Sequence, residues 1–398
     1  MADENGVLKL RLKSGEEKRL LRGHPWVFSN ELKKVPTDAA PGSPAIIVSS
    51  AGKPLGAGFF NPKSLIAFRL LARKPREFNK EFFKEKFEAA RNFRGRFLDT
   101  GGSYRLCYGE SDGLPGLVVD KFEGVLVLQV LAAGMELLLP AIKDALVELF
   151  EPEAIHLKND HPLRKLEGLP LEDATIHGEV PDQVEIVENG VKYAVGIKGG
   201  QKTGFYFDQR ENRAVLAPYY KGRRVLDFYC FSGSFALNAG KNGAAEVYGL
   251  DSSEEAVRLA TRNAALNGLS QKVKFDVGDA QEVLESLSEG KQSMTPDMIL
   301  LDPPSFAASK KHVVQALRAL SNLNGMALRS LKPGGLLATS TCSHHISREA
   351  FLGMIRHAAG KSGKAVRRLM LRGQAADHPV LVAMPETEYL HFCLLEVL

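Results

Sequence analysis

Cysteine is scarce, with Cys107, Cys230, Cys342 and Cys393 the only four in 398 residues. No two stand at Cys-x-x-Cys spacing, which argues against a zinc site, and four thiols in a chain this long do not make a disulfide framework. No apolar run approaches the ~20 residues needed to cross a bilayer, so no membrane role is expected. The opening Met-Ala-Asp-Glu-Asn-Gly lacks the basic and apolar stretches of a secretory signal, which points to the cytoplasm. Tryptophan occurs once, at Trp26.

A chain of 398 residues is long for a single core and implies two or three domains. Its 44% hydrophobic and 25% charged residues are ordinary for a globular protein. The net charge is only +5, yet residues 1–75 alone carry thirteen Lys/Arg against six Asp/Glu. A basic segment on a nearly neutral body fits a polyanion partner, most simply nucleic acid; a solvated basic face is the bland alternative.

Arg223 to Asp251 is the organising stretch. An apolar run ends in Asp227, a small-residue turn follows over Tyr229–Ser234, a helical segment runs from Phe235 to Lys241, and a second apolar run ends in Asp251. This is the βαβ unit of a doubly wound sheet. A dinucleotide site needs Gly-x-Gly-x-x-Gly so that the backbone can close on pyrophosphate. Here the loop Phe231-Ser232-Gly233 has one well-placed glycine and an acid, Asp227, on the strand before it. An anionic Asp227 disfavours phosphate and suits a cationic or amine-bearing ligand, while Asp251 suits a ribose diol. A third acid, Asp279, follows the strand near Val273–Phe275 and is placed to accept from an adenine amine. Three acids at successive strand ends line one sheet edge and point to S-adenosylmethionine as cofactor.

Residues 7–75 read as short strands with one helix. Val7–Lys13 alternates like a half-buried strand, Ser14-Gly15-Glu16-Glu17 reads as a capping box for Lys18–Leu21, and strands are expected near Ala45–Ser49, Leu55–Phe60 and Leu65–Leu71. His24 and Trp26 are expected to pack. Beyond Pro75, Phe78–Phe97 reads as a helix with Phe82, Phe83, Phe87 and Phe93 as its core stripe. Strands at Tyr104–Glu110, Leu117–Lys121, Val125–Leu131 and Ala154–Lys158, with a helix at Glu136–Phe150, complete an α+β piece without evident chemistry of its own. Cys107 is expected to be buried and inert.

A hairpin is expected over residues 185–196, turning at Glu188-Asn189-Gly190. The loop Lys198–Asn212 can fold over a cofactor, with Gln209 donating to it. Ser253–Asn267 reads as a helix. Ala365–Leu371 and Glu388–Leu398 read as closing strands, with Asp377-His378-Pro379 between them near the cleft edge.

The chemistry centres on two further strand ends. Met298–Leu301 runs into Asp302-Pro303-Pro304-Ser305-Phe306, where two prolines stiffen the turn and remove two amide donors. Leu336–Ser340 runs into Thr341-Cys342-Ser343-His344-His345. If the two strands are neighbours in a parallel sheet, Asp302 and Cys342 should face each other across the cofactor's methyl group. A thiolate adding to carbon 6 of a pyrimidine makes carbon 5 nucleophilic, and an acid near nitrogen 3 stabilises the developing charge. Cys342 is then the nucleophile, with His344 or His345 to activate it, and Asp302 is the base-recognition acid. The alternative is methylation of an exocyclic amine, which uses Asp-Pro-Pro-aromatic; here Ser305 takes the aromatic place and Phe306 follows one later.

Segment Arg19–Phe28 resembles a PUA domain, an RNA-binding module. Taken with Tyr104-Arg105, Gly109-Glu110-Ser111-Asp112-Gly113-Leu114-Pro115-Gly116, Lys202-Thr203-Gly204-Phe205-Tyr206, Asp208-Gln209-Arg210, Asp302-Pro303-Pro304, Thr341-Cys342-Ser343 and Gln374–Pro379, it makes the chain similar to the RlmI-like family. These are 5-methylcytosine methyltransferases of large-subunit ribosomal RNA. The resemblance covers nearly the whole chain. It implies an α/β protein: a β-rich PUA domain over 1–75, a small α+β middle domain over 76–184 and a Rossmann-like class I methyltransferase domain over 185–398. It also implies cytosine rather than uracil, and ribosomal RNA of the large subunit or its precursor as partner, with a homodimer among the open oligomeric states. Many relatives carry Lys where this chain has Ser305, and there is no second Cys near Asp-Pro-Pro. A non-catalytic RNA-binding assembly factor is the alternative from another class.

Overall fold

The computed structural model describes residues 7–198, 204–292, 294–307 and 309–398, so Lys202 and Thr203 of the glycine-rich motif lie outside the described residues. The chain separates into two compact units.

The first unit takes in the described residues of Met1–Val184, Val195–Phe207 and Ala376–Thr387. It holds two five-stranded sheets. In one, Leu8–Arg11 pairs in parallel with Ser43–Val48, and Pro54–Phe60, Phe68–Ala72 and the short Trp26–Val27 follow as antiparallel neighbours. The expected capping box does not form. The helix starts only at Glu17, and its N-cap, Glu16, makes no side-chain cap bond. His24 and Trp26 pack as expected: His24 is buried, its Nδ1 accepts from the Trp26 amide, and Trp26 Nε1 donates to Glu110 at 2.9 Å.

The second sheet runs in the order Glu172–Gly178, Ala154–Asn159, Val125–Val130, Leu117–Phe122, Tyr104–Tyr108, and Glu172–Gly178 is a strand the sequence pattern did not reveal. Helix Lys80–Arg94 begins at Asn79, whose side chain accepts from the Phe82 amide. Its Phe82, Phe83 and Phe87 are fully buried, each contributing roughly 1.5–3 kcal/mol of hydrophobic stabilisation, whereas Phe93 is half-buried. Cys107 is buried without exposed surface, and desolvation pushes its thiol well up, which makes it inert. Buried Arg94 donates to both carboxylate oxygens of Asp112, at 2.7 and 2.8 Å, and to the carbonyl of Asp377 at 2.8 Å. Asp377 and His378, expected near a cleft edge, are therefore buried members of this first unit.

The second unit holds a seven-stranded sheet. In chain order its elements are β1 (Arg224–Phe228), α1 (Ser234–Lys241), β2 (Glu246–Asp251), α2 (Glu254–Leu266), β3 (Val273–Val277), α3 (Ala280–Ser288), β4 (Met298–Leu301), α4 (Val313–Ser330), β5 (Leu336–Thr341), α5 (Arg348–Ser362), β6 (Val366–Arg372) and β7 (His391–Val397). Helix α5 has no counterpart in the sequence expectation, although Ser347 caps it and Gly363 ends it in the left-handed region.

The strand order is β3-β2-β1-β4-β5-β7-β6; the first five are parallel and β7 is antiparallel to both neighbours. Parallel neighbours joined by helices must end on one edge, so β1, β2, β4 and β5 bring their C-terminal tips together there. The core under this edge is built from Leu226, Phe228, Ile299, Leu301 and Leu337 of the sheet and from α4 and α5, including Leu320, Leu323 and Phe351. A hairpin turning at Asn189-Gly190, both with positive φ, precedes the sheet, and its Glu188 makes a buried bidentate pair with Arg213 at 2.6 and 2.9 Å.

Candidate active site

The loop after β1 is bent by three residues in the left-handed region, Tyr229 at φ 62°, Phe231 at φ 47° and Gly233 at φ 78°. Two are not glycine, and each such residue costs on the order of 1–3 kcal/mol unless its surroundings hold it. The holding groups are visible. The Cys230 amide donates to the Leu250 carbonyl at 3.1 Å, the Phe231 amide to Asp251 Oδ2 at 2.9 Å, and the Gly233 amide to the Cys230 carbonyl at 2.7 Å. Gly233 is required twice: its φ suits glycine, and a Cβ there would stand 2.7 Å from the Phe275 ring. Ser232 is buried, and its carbonyl accepts from Asn263 at 3.1 Å.

The three acids stand where the pattern placed them, each with partners that pattern could not supply. Asp227 is buried on β1, and its Oδ2 accepts from the Ala236 amide of α1 at 2.9 Å. Burial raises its carboxyl well above the usual range, with Asp302 and Asp251 adding to the effect. Asp251 accepts from the Phe231 amide on one oxygen and from the Ser253 amide on the other, at 2.9 and 3.0 Å. Asp279 is the N-cap of α3, its Oδ1 accepting from Gln281 and Glu282 at 2.8 and 3.0 Å. Tyr229, which the sequence did not single out, belongs with them: burial, then Asp279 and Asp251, push its hydroxyl to about 12.

Asp302 follows β4 and is half-buried. The β4–β5 register pairs Leu301 with Thr339, so the next residue on β5, Ser340, stands beside Asp302 and its Oγ donates to Asp302 Oδ1. Cys342 lies two residues further on, beyond the end of β5. Direct facing of Asp302 and Cys342 is therefore corrected to Asp302 facing Ser340, because β5 runs past the tip of β4 before the chain turns. Desolvation raises the Asp302 carboxyl to about 6, opposed by the Ser340 bond and reinforced by Asp208.

Gln209 also reaches this point. It is buried, and its Nε2 lies 3.0 Å from Asp302 Oδ1 and 3.3 Å from Ser340 Oγ, while its Oε1 accepts from Asn212 at 2.7 Å. Its amide thus donates to protein acceptors, where the sequence led us to expect a donor to the cofactor. The physical reason is that the Gln209 amide meets two oxygens at the strand tips.

Of the four cysteines, Cys107, Cys230 and Cys393 are buried and only Cys342 is partly exposed. Desolvation raises the Cys230 and Cys393 thiols. Beside Cys342, the ring of His344 stacks on Tyr389 at 4.9 Å and 29°, and the Tyr389 hydroxyl donates to Asp208 at 2.6 Å. Phe306, the displaced aromatic after Asp-Pro-Pro, packs against the core under α4. Among the described residues, no group of three His, Cys, Asp or Glu side chains could hold a metal ion, and no helix is long and apolar enough to cross a membrane.

Residues 10–73 match a PUA-like domain and residues 105–370 match an S-adenosylmethionine-dependent methyltransferase domain. The chain is 38% identical to ribosomal RNA large subunit methyltransferase I of Cronobacter sakazakii, over 96% of this chain and 98% of that one. It is 39% identical to the protein of the same name from Tolumonas auensis, over 95% and 96%. Its fold is similar to that of an S-adenosylmethionine-dependent methyltransferase structure from Streptococcus mutans, with TM-score 0.84 and 23% identity over 98% of this chain and 100% of that one. A methyltransferase solved with S-adenosylhomocysteine gives TM-score 0.85 at the same identity and coverage.

Proposed function

The chain belongs to the family of ribosomal RNA large subunit methyltransferase I, S-adenosylmethionine-dependent enzymes, and from that premise we propose that it forms 5-methylcytosine in large-subunit ribosomal RNA through a covalent adduct on Cys342. The observation that carries the covalent step is the thiol's placement. Of the four cysteines it alone is not buried, and it follows β5, two residues past the Ser340 that stands beside Asp302.

The residues of the sheet edge fit the cofactor. Asp251 and Asp279 offer carboxylate oxygens to a ribose diol and an adenine amine, and no cationic side chain stands in the 229–233 loop to select phosphate. Phe231, Ser232 and Gly233 form the turn that would hold it, and buried Asp227 anchors that turn through α1. When bound, S-adenosylmethionine supplies an electrophilic methyl group. The protein's part is to make carbon 5 of the base a nucleophile. The Cys342 sulfur adds to carbon 6, and Asp302 serves nitrogen 3, where charge would otherwise build. A base then takes the carbon 5 proton, its bonding electrons close the carbon 5–carbon 6 double bond, and the carbon 6–sulfur bond breaks to return the thiolate. Residues 1–75, with their excess of Lys and Arg, are the RNA-binding PUA part, residues 76–184 the middle part and 185–398 the catalytic part, acting in the cytoplasm.

RNA substituted with 5-fluorocytosine tests this reading, because fluorine at carbon 5 cannot leave as a proton and the adduct is trapped. Mass spectrometry should find Cys342 joined to RNA, and methylated cytosine in reactions with ordinary RNA. A Cys342→Ala enzyme that still methylates would move the reaction to an exocyclic amine. RNA binding without any methylated product would leave an assembly factor.

A further inference from the structure

The geometry points to Ser340 and Gln209 as positioning residues that decide which oxygen of Asp302 meets the pyrimidine ring. This rests on the reading of Asp302 as the acid for nitrogen 3.

The amide orientations are fixed by their surroundings. Arg372 can only donate, and its Nε lies 3.2 Å from Asn212 Oδ1; the Gly373 carbonyl can only accept, and it lies 3.1 Å from Asn212 Nδ2. Asn212 Nδ2 is therefore the donor toward Gln209 Oε1, at 2.7 Å, which leaves Gln209 Nε2 as the donor toward Asp302 Oδ1, at 3.0 Å. Ser340 Oγ donates to the same Oδ1. With two donors on Oδ1, a proton on the acid must sit on Oδ2. As the Cys342 thiolate bonds to carbon 6, the Oδ2–H bond breaks and an N3–H bond forms; elimination of the thiolate reverses both.

The charged groups around this carboxyl are Asp208 beside Gln209, Arg213 on the helix Arg210–Val215 and Asp227 on β1. The two acids oppose its ionisation and the arginine favours it. Removing Ser340 withdraws one donor from the carboxylate, so the acid form should persist to higher pH while losing its preference for Oδ2.

The test is the pH dependence of kcat for the full-length enzyme with unmodified large-subunit ribosomal RNA and S-adenosylmethionine. Ser340→Ala should lower kcat about tenfold or more and move the upper limb of the profile to higher pH, with cofactor affinity by calorimetry unchanged within about twofold. Ser340→Thr, which keeps the hydroxyl, should restore both, and Gln209→Leu should shift the limb in the same direction. A Ser340→Ala profile that overlays the parent's, or a drop in kcat without movement of the limb, overturns the assignment. Asp302→Asn run in parallel separates the two readings. If it is inactive while Ser340→Ala is normal, only the positioning role falls; if it turns over normally, the acid role falls and the positioning role with it.

Discussion

The Phe231 amide donates to the carboxylate of Asp251 at 2.9 Å, so the acid at the end of the second strand holds the loop that leaves the first. One side chain thus serves as tether and as candidate ribose acceptor. Asp251→Ala should weaken cofactor binding by ~1–3 kcal/mol, measured by isothermal titration. Asp251→Asn should recover part of the loss, since its carbonyl oxygen can still accept from Phe231. An unchanged affinity in Asp251→Ala would remove Asp251 from the site.

Gly233 allows a second test. At φ 78°, with the Phe275 ring 2.7 Å from any Cβ, Gly233→Ala meets both backbone strain and a clash. Thermal unfolding should show a loss of ~1–3 kcal/mol. Adding Phe275→Leu should relieve the clash alone and return only part of that loss. Full recovery would mean the backbone carries no strain.

Asp302 should link stability to pH. Its folded carboxyl lies at about 6 against an ordinary 3.8, so the folded state holds the proton more tightly than the unfolded chain. Stability is then greatest below the unfolded value and falls as pH rises through the folded one. Asp302→Asn mimics the neutral acid and keeps an acceptor for Ser340. At pH 8 it should be more stable than the parent by ~1 kcal/mol, after discounting for the half-exposed side chain, and the advantage should vanish near pH 4. Urea midpoints at the two pH values measure this. Equal midpoints at pH 8 would show that Asp302 ionises without strain.

The Glu188–Arg213 pair is buried on both sides, each side chain about 1% exposed. Glu188→Ala leaves a guanidinium uncompensated and should cost ~3–5 kcal/mol in urea unfolding, while a Glu188→Ala, Arg213→Met double variant should recover much of it. A single variant as stable as the parent would mean that water reaches Arg213.

What the sequence determined by itself is local. Alternation and apolar runs located β1, β2, β4 and β5, and the acids, the Asp-Pro-Pro turn and the lone non-buried thiol could be read because each ends a short apolar run. Buried Phe82, Phe83 and Phe87 were equally visible, since helical spacing puts them on one face. Helix α5 carries its own cap signals at Ser347 and Gly363, but its weakly segregated apolar residues give no clear helical face. What tertiary structure decided is register and partnership. Ser340, rather than Cys342, stands beside Asp302 because the β4–β5 register pairs Leu301 with Thr339, and no pattern within either strand encodes that offset. Gln209 turns toward Asp302 for the same reason: its partners lie 93 and 131 residues away, and only the closed sheet brings them within hydrogen-bond reach.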